Sequence, residues 1–125
     1  MNMNRIILFI CITIFFFGSI RAEEVKVIIP TSTESNYALY QVQTGKFLRL
    51  DTRNGTIMVI DPSNPNKNRI LNAEPLATDF KEGRFQLYPT DNYWQWLLFD
   101  STTGDIWHLN WSDKTNILTK IEISY

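Results

Sequence analysis

The chain repeats itself. Tyr37-Ala-Leu-Tyr40 aligns with Phe85-Gln-Leu-Tyr88 at an offset of 48, and Phe47 to Met58 aligns with Trp96 to Trp107 at an offset of 49. Leu39/Leu87, Tyr40/Tyr88, Leu48/Leu97, Asp51/Asp100, Gly55/Gly104 and Ile57/Ile106 are identical. A duplication constrains a fold more than composition does, because one local structure has to serve both copies. Each copy reads as a strand followed by a hairpin, and no window sustains a helical period. The expectation is an all-β fold: a small antiparallel sheet or sandwich built from two strand-plus-hairpin units, 37–60 and 85–109, joined by a surface loop over 61–83.

The shared turn has a mechanism. In both copies an Asp precedes a polar run that ends in Gly, which suits a hairpin loop built around a type I turn. Gly55 and Gly104 would take positive φ without a steric cost, and the Asp51 and Asp100 carboxylates would accept bonds from the loop's own amides. A calcium loop on Asp100 and Asp105 is the sharper alternative, but two carboxylates fall far short of the six to eight oxygens that ion takes. No metal or cofactor motif is expected.

Further strands are expected over Val25–Ile29, Tyr37–Val42, Phe47–Leu50, Thr56–Ile60, Arg84–Tyr88, Tyr93–Phe99, Asp105–Trp111 and Ile117–Ser124, with Thr44-Gly45 as a turn. Residues 61–83 hold Pro62, Pro65 and Pro75. One helical turn near Leu71–Leu76 is expected within that loop.

Ahead of this domain, Arg5 is followed by an apolar run over residues 6–20 and then by Arg21-Ala-Glu-Glu24. That is the layout of a signal peptide, with cleavage expected after Ala22 and export to the periplasm or the medium. The run is short for a membrane span, which needs about 20 residues. Residues 23–125 would then form one β domain, and the formal charge of −1 becomes −3 once Arg5 and Arg21 are removed. A slightly acidic chain argues against a nucleic-acid partner, which calls for a clustered basic surface. Cys11, the one cysteine, falls in the leader, so the mature domain is held together without disulfides.

Two resemblances follow from the repeat. Leu50-Asp-Thr-Arg-Asn-Gly-Thr-Ile57 is locally similar to a β-propeller blade hairpin, although two units do not close a propeller. Arg84-Phe-Gln-Leu-Tyr-Pro-Thr90, with Trp94-Gln-Trp-Leu-Leu-Phe-Asp-Ser-Thr-Thr-Gly-Asp-Ile-Trp107 and Trp111-Ser112, resembles a family of small exported proteins from Bacteroides- and Prevotella-like bacteria. The match spans about 30 residues. The resemblance implies the fold unit and a bacterial source, and it implies no activity. This chain has His108 where that pattern leads to glutamine.

The chemistry is sparse. His108 is the only histidine, and hairpin pairing of Leu97 with His108 and of Phe99 with Ile106 puts it on a mostly apolar face, the setting of a packed histidine rather than a base. No nucleophile elbow occurs. The opposite face carries Trp94 across from Trp111, Trp96 from Leu109 and Leu98 from Trp107. In the first copy the matching pairs are Arg49 with Met58 and Phe47 with Ile60. A hairpin that is apolar on both faces must be covered on both or must use one as a site. Either a second sheet packs on the tryptophan face, or Trp94, Trp96, Trp107 and Trp111 form a platform for a protein, a peptide, a carbohydrate or another copy of the chain. The functional expectation is an exported, non-enzymatic binding or interaction module. The alternative is a small secreted hydrolase or inhibitor-like effector that uses loop 61–83.

Overall fold

The computed structural model describes residues 35–112 and 114–125. The expected leader and the strand expected over Val25–Ile29 lie outside the described residues. Eight strands follow in chain order: β1 (Tyr37–Gln43), β2 (Lys46–Asp51), β3 (Ile57–Ile60), β4 (Arg69–Ile70), β5 (Phe85–Pro89), β6 (Gln95–Asp100), β7 (Ile106–Asn110) and β8 (Leu118–Lys120). They form two four-stranded antiparallel sheets, β1-β2-β3-β4 and β5-β6-β7-β8, in which every strand pairs with its sequence neighbours. The fold is all-β, as the strand-plus-hairpin units and the lack of a helical period lead one to expect.

The two sheets are the two copies. Tyr37↔Asp51 and Leu39↔Arg49 in the first correspond to Phe85↔Asp100 and Leu87↔Leu98 in the second. Phe47↔Ile60 and Leu50↔Ile57 likewise correspond to Trp96↔Leu109 and Phe99↔Ile106. The hairpin loops match bond for bond. Asp51 N–H donates to Thr56 O and Gly55 N–H to Asp51 O at 2.8 and 2.9 Å; Asp100 N–H donates to Asp105 O and Gly104 N–H to Asp100 O at 2.9 and 2.8 Å. Both glycines stand at φ +80°, the left-handed conformation that a side chain resists.

Loop 61–83 corrects one expectation. Its helical turn is a 3-10 turn at Pro65–Lys67, not one near Leu71–Leu76. Proline suits a first helical position because its φ is preset and no amide is lost there. The later segment is instead held extended alongside β3: Leu71 N–H donates to Ile57 O at 2.8 Å, and Ile57 N–H to Asn72 Oδ1 at 2.8 Å. β8 is also shorter than the expected Ile117–Ser124.

The copies bury opposite faces. The first sheet turns inward Ala38, Tyr40, Val42, Leu48, Leu50, Ile57 and Val59; the second turns inward Phe85, Leu87, Trp96, Leu98 and Leu109. By the repeat alignment, the inward positions of the second sheet are the outward positions of the first. The sheets therefore meet front to back. Tyr40 shows the contact: its ring meets Trp96 edge-on at 5.8 Å, and its Oη accepts a bond from Leu87 N–H at 3.3 Å. Phe85 N–H donates across to Thr52 O at 2.8 Å. Phe85, Leu48, Leu50, Leu87, Leu98 and Leu109 are wholly buried in this seam, and each such side chain contributes roughly 1.5–3 kcal/mol of burial.

Candidate functional site

Both loop aspartates are caps, as expected, and both also hold an arginine. Asp51 Oδ1 accepts Arg53 N–H at 3.0 Å while Arg53 Nη2 reaches Asp51 Oδ2 at 3.0 Å. Asp100 Oδ1 accepts Thr102 N–H at 2.9 Å, and Arg84 clamps the carboxylate through Nε at 2.9 Å and Nη2 at 2.8 Å. Burial alone would raise the Asp100 carboxyl, but Arg84 and the amides and hydroxyl of Thr102 and Thr103 together outweigh it and hold the pKa at about 2. The same clamp raises the Arg84 guanidinium. With its oxygens committed in this way Asp100 is a structural group. Among the described residues no cluster of three or more His, Cys, Asp or Glu side chains gathers at one point.

The tryptophans lie at the seam. Trp96 and Trp111 are 2% and 3% exposed, and Trp94 and Trp107 are half-buried against the core. The first sheet thus covers most of the face that the sequence left open between core and platform, and Trp96 and Trp111 are not available as a free surface. Trp96 Nε1 and Trp111 Nε1 both donate to Tyr93 O, at 3.1 and 2.7 Å, so that one carbonyl satisfies two buried indoles. Trp107 instead tilts against Phe85 with ring centroids 6.3 Å apart.

Trp94 differs from the other three. Its ring tilts at 39° against Trp111, centroids 4.3 Å apart, and at 40° against Tyr93 at 4.9 Å, and it lines an open cleft of about 590 Å³. The cleft lies between β3, the Asn66–Arg69 segment and the end of β7, and among the described residues its lining includes Lys46, Lys67, Arg69, Lys114 and the carboxylate of Asp61. Among the described residues, cationic side chains thus outnumber carboxylates in the lining, in a chain of net negative charge. Arg69 Nη2 donates to Trp111 O, which ties the wall to the indole stack. Asp61 is lowered below the usual carboxylate range, first by the Ser63 hydroxyl and then by the amides of Ser63 and Asn64.

Loop 61–83 therefore does contribute polar groups beside the tryptophans. His108 does not join them. It pairs with Leu97 and Thr119 on the outward face of the second sheet, the face that hairpin pairing assigned to it, while the cleft opens at the seam. Among the described residues no histidine lines the cleft with Asp61. The cations were not legible as a site, because Lys46, Lys67, Arg69 and Lys114 come from separate segments with no motif.

No family model, no curated protein and no solved structure matches this chain. Among the described residues no helix is long and apolar enough to cross a membrane.

Proposed function

We propose that the protein is an exported, non-enzymatic binding module, and that it takes its ligand at the seam cleft beside Trp94. The observation that carries this reading is the pairing of a half-buried indole, held against Trp111, with Lys46, Lys67, Arg69 and Lys114 around one cleft. An indole held by two aromatic neighbours offers apolar surface at little entropic cost, and surrounding cations select for negative charge. The ligand class that fits is an acidic oligosaccharide or an acidic peptide segment. The apolar leader over residues 6–20 supports export; N-terminal sequencing of the exported protein should give a start near Glu23, and retention of Met1 would refute it.

Oligogalacturonate and an oligoglutamate peptide are suitable probes, titrated at low salt with indole fluorescence as the readout. At least one should bind, with affinity falling as salt rises. Trp94→Ala and Lys67→Glu should each weaken that binding about tenfold or more while leaving the fold intact. Absence of binding by both probes, or unchanged affinity in both variants, would sink the reading. A hydrolase using loop 61–83 finds less support, since among the described residues lining the cleft no histidine stands with Asp61.

A further inference from the structure

The front-to-back contact between the sheets uses up only one face of each. Outward on the first sheet stand Tyr37, Leu39, Phe47, Arg49, Met58, Ile60 and, on β4, Ile70; Tyr37, Leu39 and Ile70 are 51%, 53% and 57% exposed. Outward on the second sheet stand Gln86, Tyr88, Leu97, Phe99, Ile106 and His108, with Tyr88 39% exposed. Two apolar faces of this kind on one small protein are unusual for a monomer.

The repeat says what fits them. Tyr40, Leu48, Leu50 and Ile57, which form the inward face of the first sheet, align with Tyr88, Leu97, Phe99 and Ile106 on the outward face of the second. Phe85, Leu87, Trp96 and Leu109, inward on the second sheet, align with Tyr37, Leu39, Phe47 and Ile60, outward on the first. The outer faces are therefore the same complementary pair that already meets at the seam. We propose that copies of this chain associate front to back, the outward face of the second sheet on one copy seating the outward face of the first sheet on the next.

The seam supplies the contacts to expect. Its Tyr40–Trp96 edge contact becomes Tyr88 of one copy against Phe47 of the next. Its bond from Leu87 N–H to Tyr40 Oη becomes Leu39 N–H to Tyr88 Oη, and that from Phe85 N–H to Thr52 O becomes Tyr37 N–H to Ser101 O. The groundwork matches: Thr52 N–H donates to Asn36 O, and Ser101 N–H to the equivalent Arg84 O, both at 2.9 Å. A recess of about 150 Å³ between Tyr37, Arg49, Met58 and Ile70 leaves room for an incoming side chain. Arg49, Gln86 and His108 replace Leu98, Ala38 and Val59 of the seam, so this interface is more polar than the core, as suits partners that also exist apart. Such a contact is heterologous, pairing unlike surfaces.

Sedimentation of the protein recovered from an exporting host tests this. The wild type should run above monomer mass. Leu39→Glu and Tyr88→Glu, one on each face, should each fall to monomer mass with melting temperatures near wild type. Mixed in equal amounts, the two variants should form a dimer and nothing larger, because one intact face remains on each. Should Leu39→Glu fail to fold, Ile70→Glu on the same face replaces it. A wild-type monomer at every concentration would overturn the proposal. So would a variant that keeps the wild-type mass, which means like faces pair, or a mixture that stays monomeric. None of these outcomes touches the seam cleft, so ligand binding there is judged separately.

Discussion

Gly55 and Gly104 share a φ of +80° and differ in what surrounds them. A Cβ at Gly104 would meet nothing within 4 Å, whereas at Gly55 it would lie 3.0 Å from Leu76 Cδ1 and 3.2 Å from the Phe85 ring. Gly104→Ala should therefore cost only the backbone strain, about 1–2 kcal/mol. Gly55→Ala adds a clash with a wholly buried ring and should cost about 1 kcal/mol more, since cores resist added methyl groups. Urea unfolding of both variants checks the order. Asp100 makes a second residue-scale prediction. Its folded pKa of about 2 lies below the ordinary value of 3.8, so its ionised form stabilises the fold above that ordinary value. This contribution, about 2 kcal/mol, is lost as pH falls from about 5 towards 2. Asp100→Asn should be less stable than wild type at neutral pH, and the difference should shrink across that acid range.

At the scale of elements, the hairpins were legible because period-two alternation and loop length fix register together. Leu98 opposite Trp107 and Phe47 opposite Ile60 follow from counting back from Gly104 and Gly55. Which face of the second hairpin is covered does not follow, since Phe99 and Ile106 are as apolar as Leu98 and Trp107. The helical turn lies elsewhere because Leu71 and Asn72 are tied to Ile57 alongside β3, a long-range contact that the local sequence does not announce. The tryptophans now divide into two kinds. Trp111→Ala removes a side chain 3% exposed and should cost about 3–5 kcal/mol. Trp94→Ala, at a half-buried residue lining the cleft, should cost less than half of that by thermal melting. Equal losses would mean that Trp94 is core and that the cleft begins elsewhere.

For the whole molecule, the duplication announced two equivalent units but not how they meet. A mirror-like pairing would bury one face twice and leave its reverse twice exposed. The front-to-back seam does otherwise, and the same sequence position is core in one sheet and surface in the other. Leu39 and Leu87 show this: identical residues in identical register, one half-exposed and one sealed. Divergence between the copies follows the same division, with Arg49 tolerated outside where Leu98 is required inside.

The segment from Leu71 to Arg84 joins the two sheets, and it gives the seam a property that no contact between chains can share. A short link makes docking of the second sheet on the first an intramolecular event, at an effective concentration on the order of millimolar, however dilute the protein. Contact between the outer faces has no such link and obeys ordinary mass action. Two surfaces of nearly the same make are thus set at opposite ends of a concentration scale, one always occupied and the other filled only where the protein accumulates.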